Sequence, residues 1–332
     1  MVKKIILVSV SIIIGFILVE CYFIFYNPQN LNATSRLYAK NGLLLNTKDK
    51  KISHYLNGKK KLDYSFGEFH NREYGFNRTK ETVLALGDSF TFGWHLDDED
   101  TFIYKLNEKI PKYKFINAAA GGWGTSDQLS YFMLFCEQIK PKYTIIFINF
   151  SDLGRSVISK LFKMDHNENL VEGKNKIIRT KKILEQSIIY NYLVANIHTV
   201  AFVKTFYLDT KTINQINSVP VNFEFKKNFI FAKKLFLKFK DEAKKCGTEI
   251  FFINLGWENY NEVDSDGMTS VFLLQNKSFL SKNFNYIDLN SDLKIIQKNK
   301  KKFSLPGDDH PNKLGSQFLF DTIYKRIVML IN

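Results

Sequence analysis

Residues 81–92 read Glu-Thr-Val-Leu-Ala-Leu-Gly-Asp-Ser-Phe-Thr-Phe, and they constrain the fold more than any other stretch. Val83, Leu84, Ala85 and Leu86 form a short apolar run without polar alternation. Such a run marks a strand covered on both faces, as in a parallel sheet beneath helices. Gly87 ends it, and the missing Cβ permits a sharp turn. The pattern predicts a strand over residues 82–86 with Ser89 just past its carboxyl end, where open α/β sheets keep their ligand crevice.

The same alternation continues along the chain. Strands are expected over residues 114–118, 143–150, 248–255 and 285–289. Helices are expected over residues 101–110, 126–139, 228–246 and 267–282, with a last helix starting near Pro311. Leu129, Phe132, Met133 and Cys136 recur on one face of the second of these helices. Ala232, Phe236, Phe239 and Ala243 do so on the next, and Leu314, Phe318 and Ile327 on the last. Asp97-Asp98-Glu99-Asp100 look like a metal site at first glance, but acids suit the N-terminus of the helix expected at 101–110.

A serine at a strand end needs a base to become a nucleophile. The chain has six histidines, and His310 alone combines a carboxylate two residues before it with a Pro-Asn helix start after it, in Gly307-Asp308-Asp309-His310-Pro311-Asn312. Asp308 is the expected orienting acid, with Asp309 as the alternative. The order Ser89, Asp308, His310 lets one late loop deliver base and acid to an early serine. There is no H-E-x-x-H and no Cys/His cluster, so neither metal nor cofactor is expected.

These blocks resemble the SGNH (GDSL-like) hydrolases: Gly87-Asp88-Ser89 with Phe90-Thr91-Phe92-Gly93-Trp94 after it, Tyr74-Gly75-Phe76 before it, the Gly-rich Gly121-Gly122-Trp123-Gly124, and Asp308-x-His310-Pro311-Asn312. The resemblance covers roughly residues 74–150 and 248–331. It implies an α/β, flavodoxin-like three-layer α/β/α sandwich with a mainly parallel five-stranded sheet. It also implies a Ser89–Asp308–His310 triad and an oxyanion hole from the N–H groups of Ser89 and Gly122. The family's third oxyanion donor is an Asn; aligned on Asp152, that position is Ser151, and Asn149 two residues earlier is the substitute. Trp94 and Trp123 are assigned to substrate binding, and His95 to the pocket wall. Residues 72–76 are expected beside the site.

Outside these blocks the chain begins with Lys3 and Lys4, then 21 nearly all apolar residues, 5–25, interrupted by Glu20. About 20 such residues span a bilayer as a helix. No A-x-A cleavage pattern follows, which favours an uncleaved anchor over residues 1–26 with the body in the periplasm or outside the cell. Residues 27–80 read as a linker and N-terminal extension, and 81–332 as the hydrolase-like domain. Within it, residues 154–227 break the alternation and form an expected insertion, a lid or partner surface, with a charged loop over 163–182. Cys21, Cys136 and Cys246 are expected as small hydrophobes rather than a disulfide framework.

The net charge of +14 comes with lysines scattered along the chain and no nucleic-acid-binding motif. A solvated basic surface is the expected reading, with no nucleic-acid partner. The sequence therefore points to a membrane-anchored serine esterase, acyl hydrolase or O-acyltransferase. Its expected partners are an ester-bearing small molecule, a lipid or an envelope polysaccharide. The alternative is a catalytically weak or inactive scaffold that serves as an envelope binding protein.

Overall fold

The computed structural model describes residues 1–32, 36–56, 60–76, 80–149, 151–173, 183–184, 187–209, 225–257 and 268–331. They fall into two compact units. The larger comprises Leu37–Lys50, Ser65–Ile177 and Asn222–Asn332, and the smaller Met1–Arg36, Lys51–Tyr64 and Ile178–Val221.

The larger unit is built on a parallel sheet of five strands: β1 (Glu81–Leu86), β2 (Tyr113–Asn117), β3 (Tyr143–Ile148), β4 (Glu249–Asn254) and β5 (Asn285–Asp288). Their spatial order is β2-β1-β3-β4-β5, and every neighbouring pair is parallel. This is the flavodoxin-like order, whose direction of winding reverses between β1 and β3.

Alternate residues of each strand face opposite sides of the sheet, which is why the strands read as unbroken apolar runs. Leu84, Leu86, Ile146, Ile148 and Phe252 point into one core, shared with the helices Thr125–Ile139 and Phe225–Cys246. Val83, Ala85, Ile145, Phe147 and Phe251 point into the other, shared with Phe102–Lys109 and Lys313–Ile331. The three layers follow from that partition.

Several boundaries shift for local reasons. Thr101, expected as the first helical residue, is the N-cap of Phe102–Lys109, and its side chain accepts from Tyr104 N–H. The acids before it form a separate 3₁₀ turn, Asp98–Asp100. Leu314 was expected on the buried face of the last helix but is 45% exposed, whereas Gly315, Ser316, Leu319 and Phe320 are buried. Within residues 27–80, expected as a linker and N-terminal extension, the described residues include the strands Arg36–Tyr38, Leu44–Asn46, Lys50–Leu56 and Lys60–Phe66. The expected strand end Phe150, the helix start Gly267 and the second half of the 163–182 loop lie outside the described residues. The first half of that loop forms a two-stranded ladder, Phe162–Met164 with Leu170–Glu172.

Cys136 and Cys246 are joined in a disulfide, contrary to the expectation of separate small hydrophobes. The cause is tertiary: the helices that carry them pack on the same side of the sheet. Cys21 is the free cysteine among the described residues.

The smaller unit holds the N-terminal helix Val2–Phe25, the helices Ile188–Asn196 and His198–Val203, and most of a three-stranded sheet that includes Leu31–Asn32. The N-terminal helix is long and apolar enough to cross a membrane, and none of its apolar window is buried.

Candidate active site

Ser89 opens a single helical turn, Ser89–Phe92, directly after β1. Asp88 is its N-cap, and the carboxylate accepts from Phe90 N–H at 2.9 Å. The turn is tight at Gly87, where a Cβ would lie 2.2 Å from Thr91 Oγ1. The chain thus leaves the sheet abruptly and presents Ser89 at the strand's carboxyl end, beside the switch between β1 and β3.

The late loop reaches this serine across 221 residues: His310 Nε2 is 2.7 Å from Ser89 Oγ. On the other side of the ring, His310 Nδ1 contacts Asp308 Oδ1. The same carboxylate accepts from His310 N–H at 3.0 Å, so the two residues are fixed as one unit. Burial by itself raises the Asp308 carboxyl, but hydrogen bonds and charge from His310 outweigh it and hold the group below the ordinary carboxylate range. Asp309 points elsewhere: it is exposed and pairs with Lys300 at 3.4 Å. Its carbonyl accepts from Trp257 Nε1–H at 2.9 Å, which pins the loop to the core, and the Phe90 ring packs on the imidazole at 4.9 Å.

The Gly-rich turn lies against the serine, since a Cβ placed on Gly121 would stand 3.9 Å from Ser89 Cβ. Gly122 has φ +81°, a left-handed conformation that turns its peptide in a way side-chain-bearing residues resist. Trp123, expected in substrate binding, packs into the interior. It is 1% exposed, and its indole N–H donates to Leu44 O at 2.6 Å. Trp94 is half-buried and stacks on the buried His95 at 4.7 Å between ring centres.

Of the two candidates after β3, the Asn149 amide donates to Asp88 Oδ2 at 3.2 Å, so it braces the Ser89 turn. Ser151 is the N-cap of Asp152–Ser159, and its Oγ is buried without a protein hydrogen-bond partner among the described residues. Asp152 is fully buried and accepts from Asn149 N–H and Gln128 Nε2–H, both at 3.0 Å. Burial first, and the charge of Asp88 second, push its carboxyl well above the ordinary range, against the pull of Arg155.

Two supporting residues carry no motif of their own in the sequence. Arg155 Nη1 donates to Asp88 Oδ2 at 3.1 Å and to Trp123 O at 3.3 Å, tying the Ser89 turn to the Gly-rich turn. Arg72, foreseen only as part of a segment beside the site, is wholly buried. It donates to the carbonyls of Phe92, Gly93 and Leu96 and to Asp98, holding the loop after the serine. Asn117 at the end of β2 joins the same brace through Tyr74 OH and Thr91 O. His310, with an acid two residues away, was findable by motif. Arg72 was not, because it precedes β1 in a stretch of ordinary polar composition.

No protein-family model and no curated protein matches this chain. Among solved structures it is similar to TesA, with 10% identity over 76% of this chain and 100% of that one, at a TM-score of 0.46. It is also similar to the psychrotrophic esterase EstA from Pseudoalteromonas sp., with 15% identity over 76% of this chain and 100% of that one, at a TM-score of 0.44. A third is a lipolytic protein of the G-D-S-L family from Veillonella parvula, with 13% identity over 75% of this chain and 100% of that one, at a TM-score of 0.42.

Proposed function

We propose that the chain is a serine hydrolase or acyltransferase of the SGNH kind, acting on ester groups through Ser89, His310 and Asp308. The observation that carries this reading is the 2.7 Å approach of His310 Nε2 to Ser89 Oγ, with Asp308 on the far ring nitrogen. In the proposed reaction His310 Nε2 takes the hydroxyl proton as Oγ attacks the ester carbonyl. The charged imidazolium is stabilised by Asp308. The Ser89 and Gly122 N–H groups receive the oxyanion, with Ser151 Oγ as third donor, since Asn149 is engaged by Asp88. Collapse of the tetrahedral adduct breaks the ester C–O bond, and the alcohol leaves with the proton from His310. Water, or a sugar hydroxyl in the transferase version, then attacks the acyl-enzyme with His310 again as base.

The site is proposed to work outside the cytoplasm, tethered by the N-terminal helix. Two observations support this. The helix Val2–Phe25 exposes its apolar surface, and the Cys136–Cys246 bond belongs to an oxidising compartment. Exported acceptors with O-acetyl groups, envelope polysaccharide among them, are the matching substrate class, with lipid esters as the second.

The alternative, a scaffold without turnover, draws on Ser151 in place of the family's Asn. The test is hydrolysis of p-nitrophenyl acetate and labelling by a fluorophosphonate, using the full chain in detergent. Wild type is expected to react and Ser89→Ala to do neither. Equal behaviour of the two proteins removes the enzyme reading.

A further inference from the structure

The smaller unit contains an apolar surface that the proposed chemistry does not use. The helices Ile188–Asn196 and His198–Val203, with the turn after them, expose Ile188, Ile189, Tyr192, Phe202, Val203 and Phe206. Ile188 is 86% and Phe206 67% exposed. Within one unit of a chain rich in lysine, that is a large apolar area to leave in water.

The key to its partner is Glu20, the one charge in the apolar part of the N-terminal helix. Its carboxylate is capped by three donors from the second of these helices: His198 N–H at 2.7 Å, Thr199 N–H at 2.8 Å and the Thr199 hydroxyl at 2.6 Å. His198 Nδ1 in turn accepts from Gln29 N–H at 2.9 Å, just past the end of the N-terminal helix. One turn above Glu20, Phe23 meets Phe202 with ring centres 4.9 Å apart. The helix His198–Val203 is therefore fixed to the N-terminal helix at a known height.

That height is decisive. From Lys3 and Lys4 to Glu20 is about 25 Å of helix at 1.5 Å per residue. The hydrocarbon layer is about 30 Å thick. With the lysines at one face of the bilayer, Glu20 sits at or just inside the other edge, and so does the start of the helix it caps. Tyr22 and Tyr26, both exposed, follow at the level where aromatic side chains favour the interface. A bare carboxylate at this depth is costly. Three donors from one helix end offset that cost, which explains why a charge is present there.

We infer that the helices Ile188–Asn196 and His198–Val203 form a foot that lies in the headgroup boundary of the bilayer and buries its apolar side chains among the acyl chains. The occupant of this surface is the lipid leaflet itself. Amphipathic elements of this kind sink roughly 5–10 Å below the headgroups. The stretch counted within the insertion over residues 154–227 then serves, in this part, as a membrane contact that sets the height of the unit above the lipid. The inference rests on the proposed membrane anchoring and not on the esterase chemistry.

The test uses full-length protein in which Cys21→Ser removes the free thiol. Ile189→Cys and Phe206→Cys are labelled singly with the fluorophore NBD. The protein is reconstituted into phosphatidylcholine/phosphatidylglycerol vesicles with and without doxyl-labelled lipid. Val10→Cys in the N-terminal helix reports anchoring, and Glu137→Cys on the larger unit is the water-exposed reference. Labels at 189 and 206 are expected to be quenched by about twofold or more, as at 10, with 137 unchanged. Quenching at 10 with none at 189 and 206 overturns the foot and leaves the anchor. No quenching at 10 overturns the anchor, and the foot with it. Blue-shifted emission at 189 and 206 without lipid quenching assigns the surface to another copy of the chain, and also overturns the inference.

Discussion

Asp308 and Asp309 are neighbours with opposite orientations. The first contacts the His310 ring and backbone, and the second reaches outward to Lys300. The positive φ of Gly307, +73°, and the bond from Leu305 N–H to His310 O fold the loop so that only one acid can face the imidazole. Asp308→Asn should therefore lower kcat by about 10²-fold or more, by the usual range for a disrupted acid–base relay. Asp309→Asn should leave kcat within about twofold, since an exposed ion pair contributes little. Esterase kinetics on the two variants decide it; a matched loss in both would place the orienting role on the loop rather than on Asp308.

Ser151 makes the second prediction. Its hydroxyl is buried and has no protein partner among the described residues, a state that suits a donor reserved for a reacting oxygen. Ser151→Ala should reduce kcat by about 10²-fold with KM little changed, the loss typical of one oxyanion donor. Ser151→Asn, which restores the longer donor of the resembling family, should retain or raise kcat. If Ser151→Ala leaves kcat intact, the third donor is not Ser151.

Arg72 carries the third. Its guanidinium satisfies three buried carbonyls between Phe92 and Leu96 and pairs with Asp98 at 2.8 Å. A lysine keeps the charge but cannot serve four acceptors in a plane. Arg72→Lys should destabilise the protein by about 3 kcal/mol through the carbonyls it abandons, read by denaturant titration. The loop carrying Trp94 and His95 should loosen with it, so kcat/KM should fall as well. A loss below about 1 kcal/mol would show that the loop holds without the guanidinium.

The contrast between what the residues revealed and what they hid has physical roots. β1 and the Ser89 turn were legible because a doubly covered strand leaves an apolar run and a turn as tight as that at Gly87 needs small residues. Leu314 misled because the last helix packs closely through Gly315: a Cβ there would lie 2.2 Å from Phe303 O, so small residues carry the contact and the apolar count points to the wrong face. Trp123 follows a Gly-rich turn as a ligand-facing aromatic would, yet Leu44, from a segment read as linker, accepts its N–H. The strands at Lys50–Leu56 and Lys60–Phe66 bury Ile52, Leu62, Tyr64 and Phe66 among lysines, Asp63, Ser53 and Ser65, too few apolar positions to outweigh the polar composition around them.

Cys136 and Cys246 were hidden for a related reason: 110 residues separate them, and only the packing of their helices brings them together. A bond closing a loop of that length restricts the unfolded chain strongly. Reduction should cost about 2–5 kcal/mol. Thermal melts with and without dithiothreitol should show a clear drop in Tm on reduction, and Cys136→Ala with Cys246→Ala should reproduce it. An unchanged Tm would mean that the two thiols are not bonded in the protein as it folds.

Asp127 gives a pH dependence with a definite sign. It sits in the first turn of Thr125–Ile139, and its Oδ2 accepts from Gly124 N–H at 3.0 Å, which closes the Gly-rich turn. Burial is the main influence and pushes its carboxyl up to about 7, against the hydrogen bond from Gly124 and the charge of Arg155. The ordinary value is 3.8, so between these two points the folded state holds a proton that the unfolded chain has released. Stability must then fall as pH rises through that window, by at most about 4 kcal/mol from this one group. Asp127→Asn removes the titration and keeps an oxygen to accept from Gly124. Its Tm relative to wild type should therefore improve on going from about pH 5 to about pH 8, whatever its value at either end. A constant difference across that range would mean that Asp127 ionises normally in the fold and that the Gly-rich turn is closed by a charged acceptor.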